Sequence, residues 1–155
     1  MFRFVKKLKL LLRKVVSYEQ RLFDIQTTLG RIEQRQNQEK SSTIFNENEF
    51  KVFSQWGEDG LIQYLLRCID IKNPIFVEFG VENYLESNTR FLTINNNWSG
   101  LLIDGDRDNI AYIKSDPIYW RHNIKALHAF ITKDNINNLL KENGISGEIG
   151  ILSID

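Results

Sequence analysis

Two short segments carry residue types whose spacing suits a nucleoside ligand. In the first, the apolar run Ile75-Phe76-Val77 leads into Glu78-Phe79-Gly80 and then Val81-Glu82-Asn83; in the second, Gly100-Leu101-Leu102-Ile103 ends at Asp104-Gly105-Asp106. Each is an apolar run closed by an acid. A glycine just beyond the first, Gly80, lets backbone come close to a ligand. The acid closing the second, Asp104, is placed to accept hydrogen bonds from two ribose hydroxyls. Asp106, two residues on, is its rival; Asp104 is preferred because it directly ends the apolar run. Glu78, Gly80 and Asn83 are expected to form the first cofactor loop. That loop lacks the Gly-x-Gly-x-x-Gly pattern that wraps a pyrophosphate, since Val81, Glu82, Asn83, Tyr84 and Leu85 follow Gly80. A loop with one glycine suits a cofactor without phosphates. S-adenosylmethionine meets that description, with a ribose diol, an adenine edge and an amino-acid tail.

Positioning these residues takes strands whose carboxyl ends meet. Apolar runs predict strands at 75–79, 100–104, 124–128 and 149–154, and the segments between them predict helices at 87–95, 107–114 and 134–142. Upstream, Leu61, Ile62, Leu65 and Leu66 make a helix face within 58–68, and 50–53 reads as a short helical turn. Strands alternating with helices predict an α/β fold with a parallel sheet and right-handed crossovers. Leu101-Leu102-Ile103 and Ile149-Gly150-Ile151-Leu152 are apolar on both faces, as strands between helix layers should be. Ligands of an open parallel sheet sit outside the carboxyl ends of its strands. Residues 78–83, 104–106, 127–130 and 153–155 converge there.

The first 40 residues are of another kind. They hold ten Lys/Arg against four Asp/Glu, while residues 41–155 hold ten against sixteen, so a net charge of zero hides a +6 arm on a −6 body. Such asymmetry marks an arm that meets an anionic partner. Phe4, Leu8, Leu11, Val15, Tyr18, Leu22, Ile25, Leu29 and Ile32 recur at alternating spacings of four and three, the seam of a coiled coil. This pattern predicts a continuous helix over 4–36 that self-associates; the competing reading is a helix packed on its own body. Arg3, Lys6, Lys7, Lys9, Arg13 and Lys14, set among Phe2, Phe4, Val5 and leucines, could also lie on an anionic membrane surface. The organisation expected is therefore an amphipathic helix at 1–40, a polar linker at 41–49 and a domain at 50–155. No tract is long enough to span a bilayer. Leu10-Leu11-Leu12 is interrupted by Arg13-Lys14 before a signal-peptide core builds up. With Cys68 the lone cysteine, there is no disulfide framework or cysteine metal cluster, and a cytoplasmic location is expected.

Taken as an ordered set, five pieces resemble the FkbM-like group of S-adenosylmethionine-dependent methyltransferases. They are Ser54-Gln55-Trp56-Gly57-Glu58-Asp59-Gly60, Phe76-Val77-Glu78-Phe79-Gly80, Ser87-Asn88-Thr89, Trp98-Ser99-Gly100-Leu101-Leu102-Ile103-Asp104 and Leu152-Ser153-Ile154-Asp155. The likeness covers roughly residues 50–155. Members commonly show Asp-Gly in the loop after the first strand; Asn83 and Tyr84 stand at the matching positions. The resemblance implies a Rossmann-like methyltransferase fold, with the first four strands in the spatial order third, second, first, fourth. The family's domain continues past the fourth strand, so the chain is expected to be truncated there. By position, Asp155 would lie near the transferred methyl, orienting the acceptor or acting as base toward its hydroxyl. The acceptor implied is a sugar or another small hydroxyl compound.

Competing readings stand beside these. Glu78 could be a strand-end acid held by a helix N-terminus, and Asp104 a turn residue of Asp-Gly-Asp. Ser87-Asn88-Thr89 suits a helix cap as well as a ligand contact. Cys68 is expected in the core, the tryptophans in packing, and His122 and His128 outside any metal site. Neither a metal nor a nucleic-acid partner is expected. The alternative function is a catalytically inactive coiled-coil assembly or membrane-docking module built on a truncated methyltransferase fold.

Overall fold

The computed structural model describes residues 2–155. Helix α1 runs Phe2–Lys40, a 3-10 turn follows at Phe45–Asn48, and α2 spans Glu58–Cys68. Strands β1 (Ile75–Phe79), β2 (Ser99–Asp104), β3 (Ile124–His128) and β4 (Ile151–Ile154) alternate with α3 (Arg90–Asn96), α4 (Arg107–Ser115), α5 (Pro117–Arg121) and α6 (Ile136–Glu142). All four strands are parallel, in the order β3-β2-β1-β4. This is an α/β architecture compatible with a Rossmann-like fold, and its strand order is the expected one.

Because successive strand residues point to opposite faces, the sheet has two cores. Phe76 and Leu102 face a fully buried cluster with Leu92, Trp98, Ile110, Ile113, Ile118 and Ile124. Val77, Leu101 and Ile103 face the other way, toward Leu127, Leu140, Ile145 and Ile149. Glu78↔Leu102 and Glu78↔Ser153 are in register across β1, so the acid closing β1 lies between both neighbours.

Several elements differ from the sequence reading, each for a local reason. Residues 50–53 form no helical turn. Asp59 Oδ2 instead accepts the backbone N–H groups of Val52, Phe53 and Ser54 at 2.7 to 2.8 Å, together with the Ser54 hydroxyl at 2.9 Å. Helix α3 begins at Arg90 rather than 87 because Ser87, Asn88 and Thr89 all bond to Glu78. Helix α5 had no apolar periodicity to announce it; Asp116 caps it by accepting Ile118 N–H at 2.8 Å, with Pro117 in its first turn. Cys68 is exposed, because α2 buries the side bearing Asp59, Gly60 and Gln63. Trp98 packs in the core, whereas Trp56 and Trp120 are exposed.

Helix α1 docks on the body through one stripe of its C-terminal half. Phe23 meets Phe53 at 5.5 Å between ring centroids. A Cβ at Gly30 would come within 2.3 Å of Val52 Cγ2, so only glycine allows the helix this close. Gln34 Nε2 bonds to Gln63 Oε1 at 2.8 Å, and Asn37 Nδ2 to the Asn48 carbonyl at 3.0 Å. The cation of Arg90 sits among the rings of Phe23, Phe53 and Tyr84, 5.3 to 5.8 Å from their centroids, and pairs with Asp116 at 3.6 Å. The body-packing reading of α1 thus holds for this stripe. The seam from Phe4 to Ile32 lies on a different face and is exposed throughout.

Among the described residues no helix is long and apolar enough to cross a membrane.

Candidate functional site at the carboxyl ends of the strands

Three of the sequence motifs meet at one buried carboxylate. Glu78 is 1 % exposed. Its Oε2 accepts the Ser87 hydroxyl at 2.6 Å, the Thr89 hydroxyl and the Thr89 N–H; its Oε1 accepts Asn88 N–H at 3.0 Å and the Ser153 hydroxyl at 3.2 Å. A carboxylate has about four lone-pair positions, and five donors already address this one. Glu78 therefore braces the loop after β1 and ties it to β4, leaving no acceptor for a ligand. Its neighbours are the Ser87-Asn88-Thr89 segment and the serine of Leu152-Ser153-Ile154-Asp155, and Asn88 Nδ2 also reaches Ser153 Oγ at 3.2 Å.

Gly80 has φ +73°, the left-handed region. A Cβ there would approach the Asp155 carbonyl oxygen to 2.8 Å. The Asp155 N–H donates to Phe79 O at 3.1 Å and Gly80 N–H to Ile103 O at 3.0 Å. The loop after β1 is thus held under the end of β4 and beside the end of β2. Beyond it, Glu82 (φ +46°) and Tyr84 (φ +64°) also take left-handed backbone. Asn83 lies between them, and its side-chain oxygen accepts Leu85 N–H at 3.0 Å, stabilising the turn locally. Tyr84 adopts a left-handed conformation that only glycine takes without steric cost. Its strain, on the order of 1 kcal/mol, is offset by a fully buried ring whose hydroxyl lies 3.2 Å from Thr89 Oγ1 and 2.9 Å from Thr93 Oγ1. Burial, with the Glu78 charge nearby, pushes this phenol above its ordinary range.

Asp104 joins the two loops. Its Oδ2 accepts Glu82 N–H at 2.8 Å, and its Oδ1 accepts Asp106 N–H at 2.7 Å and Asn109 Nδ2 at 3.2 Å. Three of about four acceptor positions are used, so one on Oδ2 remains. Asp106 is exposed and caps α4, its Oδ1 accepting Asp108 N–H at 2.7 Å, while Oδ2 has no hydrogen-bond partner among the described residues. Asp104 thus keeps one open acceptor position and Asp106 a free Oδ2, enough between them for the two hydroxyls of a vicinal diol. Asp155 is exposed, at the end of β4 above Gly80.

No protein-family model matches the chain, and no curated protein does. The chemistry of the site therefore rests on these side chains alone. Among the described residues no cluster of three or more His, Cys, Asp or Glu could hold a metal ion.

Two further residues border the site, one of them aromatic and exposed. Phe130 is 75 % exposed and packs over Gly105, where a Cβ would come within 2.7 Å of its ring. His128 lies opposite Asp104 in the sheet register, and its Nε2 is 3.0 Å from the Gly105 carbonyl. The ring of His128 meets that of Phe130 edge-on at 6.3 Å. An exposed ring beside an acid with an open acceptor position offers a stacking surface. The only sequence sign was its place just after the third apolar run. A cleft of about 570 Å³ lies apart from this site, between α1 and α3–α5, where Arg90 and Asp116 already pair with one another.

Proposed function

We propose that this chain carries the cofactor side of an S-adenosylmethionine-dependent methyltransferase domain of the FkbM-like type, methylating a hydroxyl on a sugar or other small acceptor. One observation carries the reading: Asp104, ending β2, is bonded to Glu82 of a loop that contains a single glycine. That pairing supports a ribose-binding role for Asp104, since it sets the acid beside a loop with no pyrophosphate cradle. The residues present fit such a nucleoside. Asp104 and Asp106 supply acceptors for the diol and Phe130 a face for the base, while Gly80 lets the end of β4 close against the loop. When bound, S-adenosylmethionine supplies an activated methyl group. The protein's part is alignment, worth far more in an in-line displacement than any single proton transfer. Glu78 serves as a positioning residue, setting the loop through Ser87–Thr89. Asp155, exposed at the end of β4, would orient the acceptor or take its hydroxyl proton.

Calorimetric titration with S-adenosylhomocysteine tests the reading. Saturable heat that is lost in Asp106→Ala with Phe130→Ala supports it. A chain that takes up neither this compound nor S-adenosylmethionine, while remaining folded, refutes it.

A further inference from the structure

Helix α1 carries two stripes, and the body uses only one. Phe23, Thr27, Gly30, Gln34 and Asn37 recur at four and three and are buried or half-buried against the body. The second stripe runs Phe4, Leu8, Leu11, Val15, Tyr18, Leu22, Ile25, Leu29 and Ile32, and its members are 43 % to 73 % exposed. At 3.6 residues per turn the two stripes lie about 150° apart around the helix. Docking therefore leaves the whole seam in water. Nine large side chains at unbroken heptad spacing are a surface that gains stability only when covered.

We propose that the seam is closed by the same seam of further copies of this chain, packed parallel and in register. With Leu8, Val15, Leu22 and Leu29 at heptad position a, the d positions are Phe4, Leu11, Tyr18, Ile25 and Ile32. The body-facing residues then fall at b and f, on the outside of a coiled coil, so one helix serves both contacts at once. The flanks set the direction. The g positions are Lys7, Lys14, Arg21, Thr28 and Arg35, and the e positions Val5, Leu12, Glu19, Gln26 and Glu33. Parallel packing sets each g against the e of the partner's next heptad, which brings Lys14 to Glu19, Arg21 to Gln26 and Thr28 to Glu33. Antiparallel packing sets g against g and crowds Lys and Arg together along that flank, with Glu19 and Glu33 repeating the fault along the other. Like charges so placed are destabilising. A lipid surface would require no four-three spacing through Ile32, where the body is seated beside the same helix. Parallel closure zips the free N-terminal halves and brings the bodies to one end of the assembly.

The test uses the full chain. Sedimentation should give a closed oligomer for the wild type and a single chain for Leu22→Asp/Ile25→Asp. Both residues point away from the body, so the variant should keep a cooperative melting transition, lowered only by the stabilisation that association supplied. With Cys68→Ser to remove the exposed native thiol, Ile32→Cys should cross-link to itself on mild oxidation. An antiparallel seam centred on Tyr18 would instead place Ile32 opposite Phe4. An oligomer whose Ile32→Cys variant fails to cross-link overturns the parallel register. A wild type that stays a single chain at its highest soluble concentration overturns self-association. Binding of that single chain to phosphatidylserine vesicles, but not to phosphatidylcholine vesicles, would assign the seam to a membrane surface instead.

Discussion

Asp104 Oδ2 accepts the backbone N–H of Glu82 at 2.8 Å, so the acid expected to hold a ribose also fastens the loop that would lie across it. The same carboxylate turns the chain into α4 through Asp106 N–H. Removing it should affect both binding and loop order. Asp104→Ala should weaken S-adenosylhomocysteine binding by about 1.5–3 kcal/mol, the range for hydrogen bonds to a charged group. Calorimetry below the variant's melting temperature checks this. Unchanged affinity would transfer the ribose contact to Asp106.

Tyr84 combines left-handed backbone with a fully buried ring. Tyr84→Phe should cost about 1 kcal/mol, since the hydroxyls of Thr89 and Thr93 lose a buried partner. Tyr84→Gly should relieve the backbone strain yet cost about 3 kcal/mol, because the cavity left by an aromatic ring outweighs that relief. Denaturant unfolding of the two variants gives the comparison. A glycine variant more stable than the phenylalanine variant would show that strain dominates.

Gly30 sits where α1 crosses Val52 and Phe91. In an exposed helix, Gly→Ala gains up to about 1 kcal/mol of helix propensity. Here the new methyl would overlap Val52, so Gly30→Ala should lower the melting temperature and loosen α1 from the body. Faster proteolysis within 41–49 would accompany it. A rise in melting temperature would mean the helix is not held at this crossing.

Asp59 is 1 % exposed, and burial pushes its carboxyl above its ordinary 3.8 despite the backbone donors that favour the charged form. A raised folded-state value favours the protonated form. The contribution to stability is therefore fully present below the unfolded value and is lost as pH rises through the folded one. Asp59→Asn cannot titrate, so it should compare worst with wild type near pH 4 and best near pH 7. Unfolding curves of both proteins at the two pH values decide it. The opposite trend would mean that the N–H groups of Val52, Phe53 and Ser54 outweigh desolvation.

The strands were legible from apolar runs, because burial between two helix layers leaves a local signature. Their order was not written in those runs and was expected only from the family resemblance of the motifs. The heptad seam was legible too, since a helical period is written in one dimension. Other features depended on which surfaces met. Glu78 and Asp104 look alike as acids ending apolar runs. One proved saturated by Ser87–Thr89 and Ser153, while the other kept an open acceptor, a difference made by donors as far as 75 residues away. Cys68 lies on α2, which turns Asp59, Gly60 and Gln63 inward beside Ile62 and Leu66 and leaves Leu65 and Cys68 exposed, so hydropathy alone did not mark its buried face. Phe130 became part of the site only through the pairing of Asp104 with His128. Two stripes of α1 repeat at the same spacing, and packing against Val52 and Phe91 at Gly30 determined which one the body took.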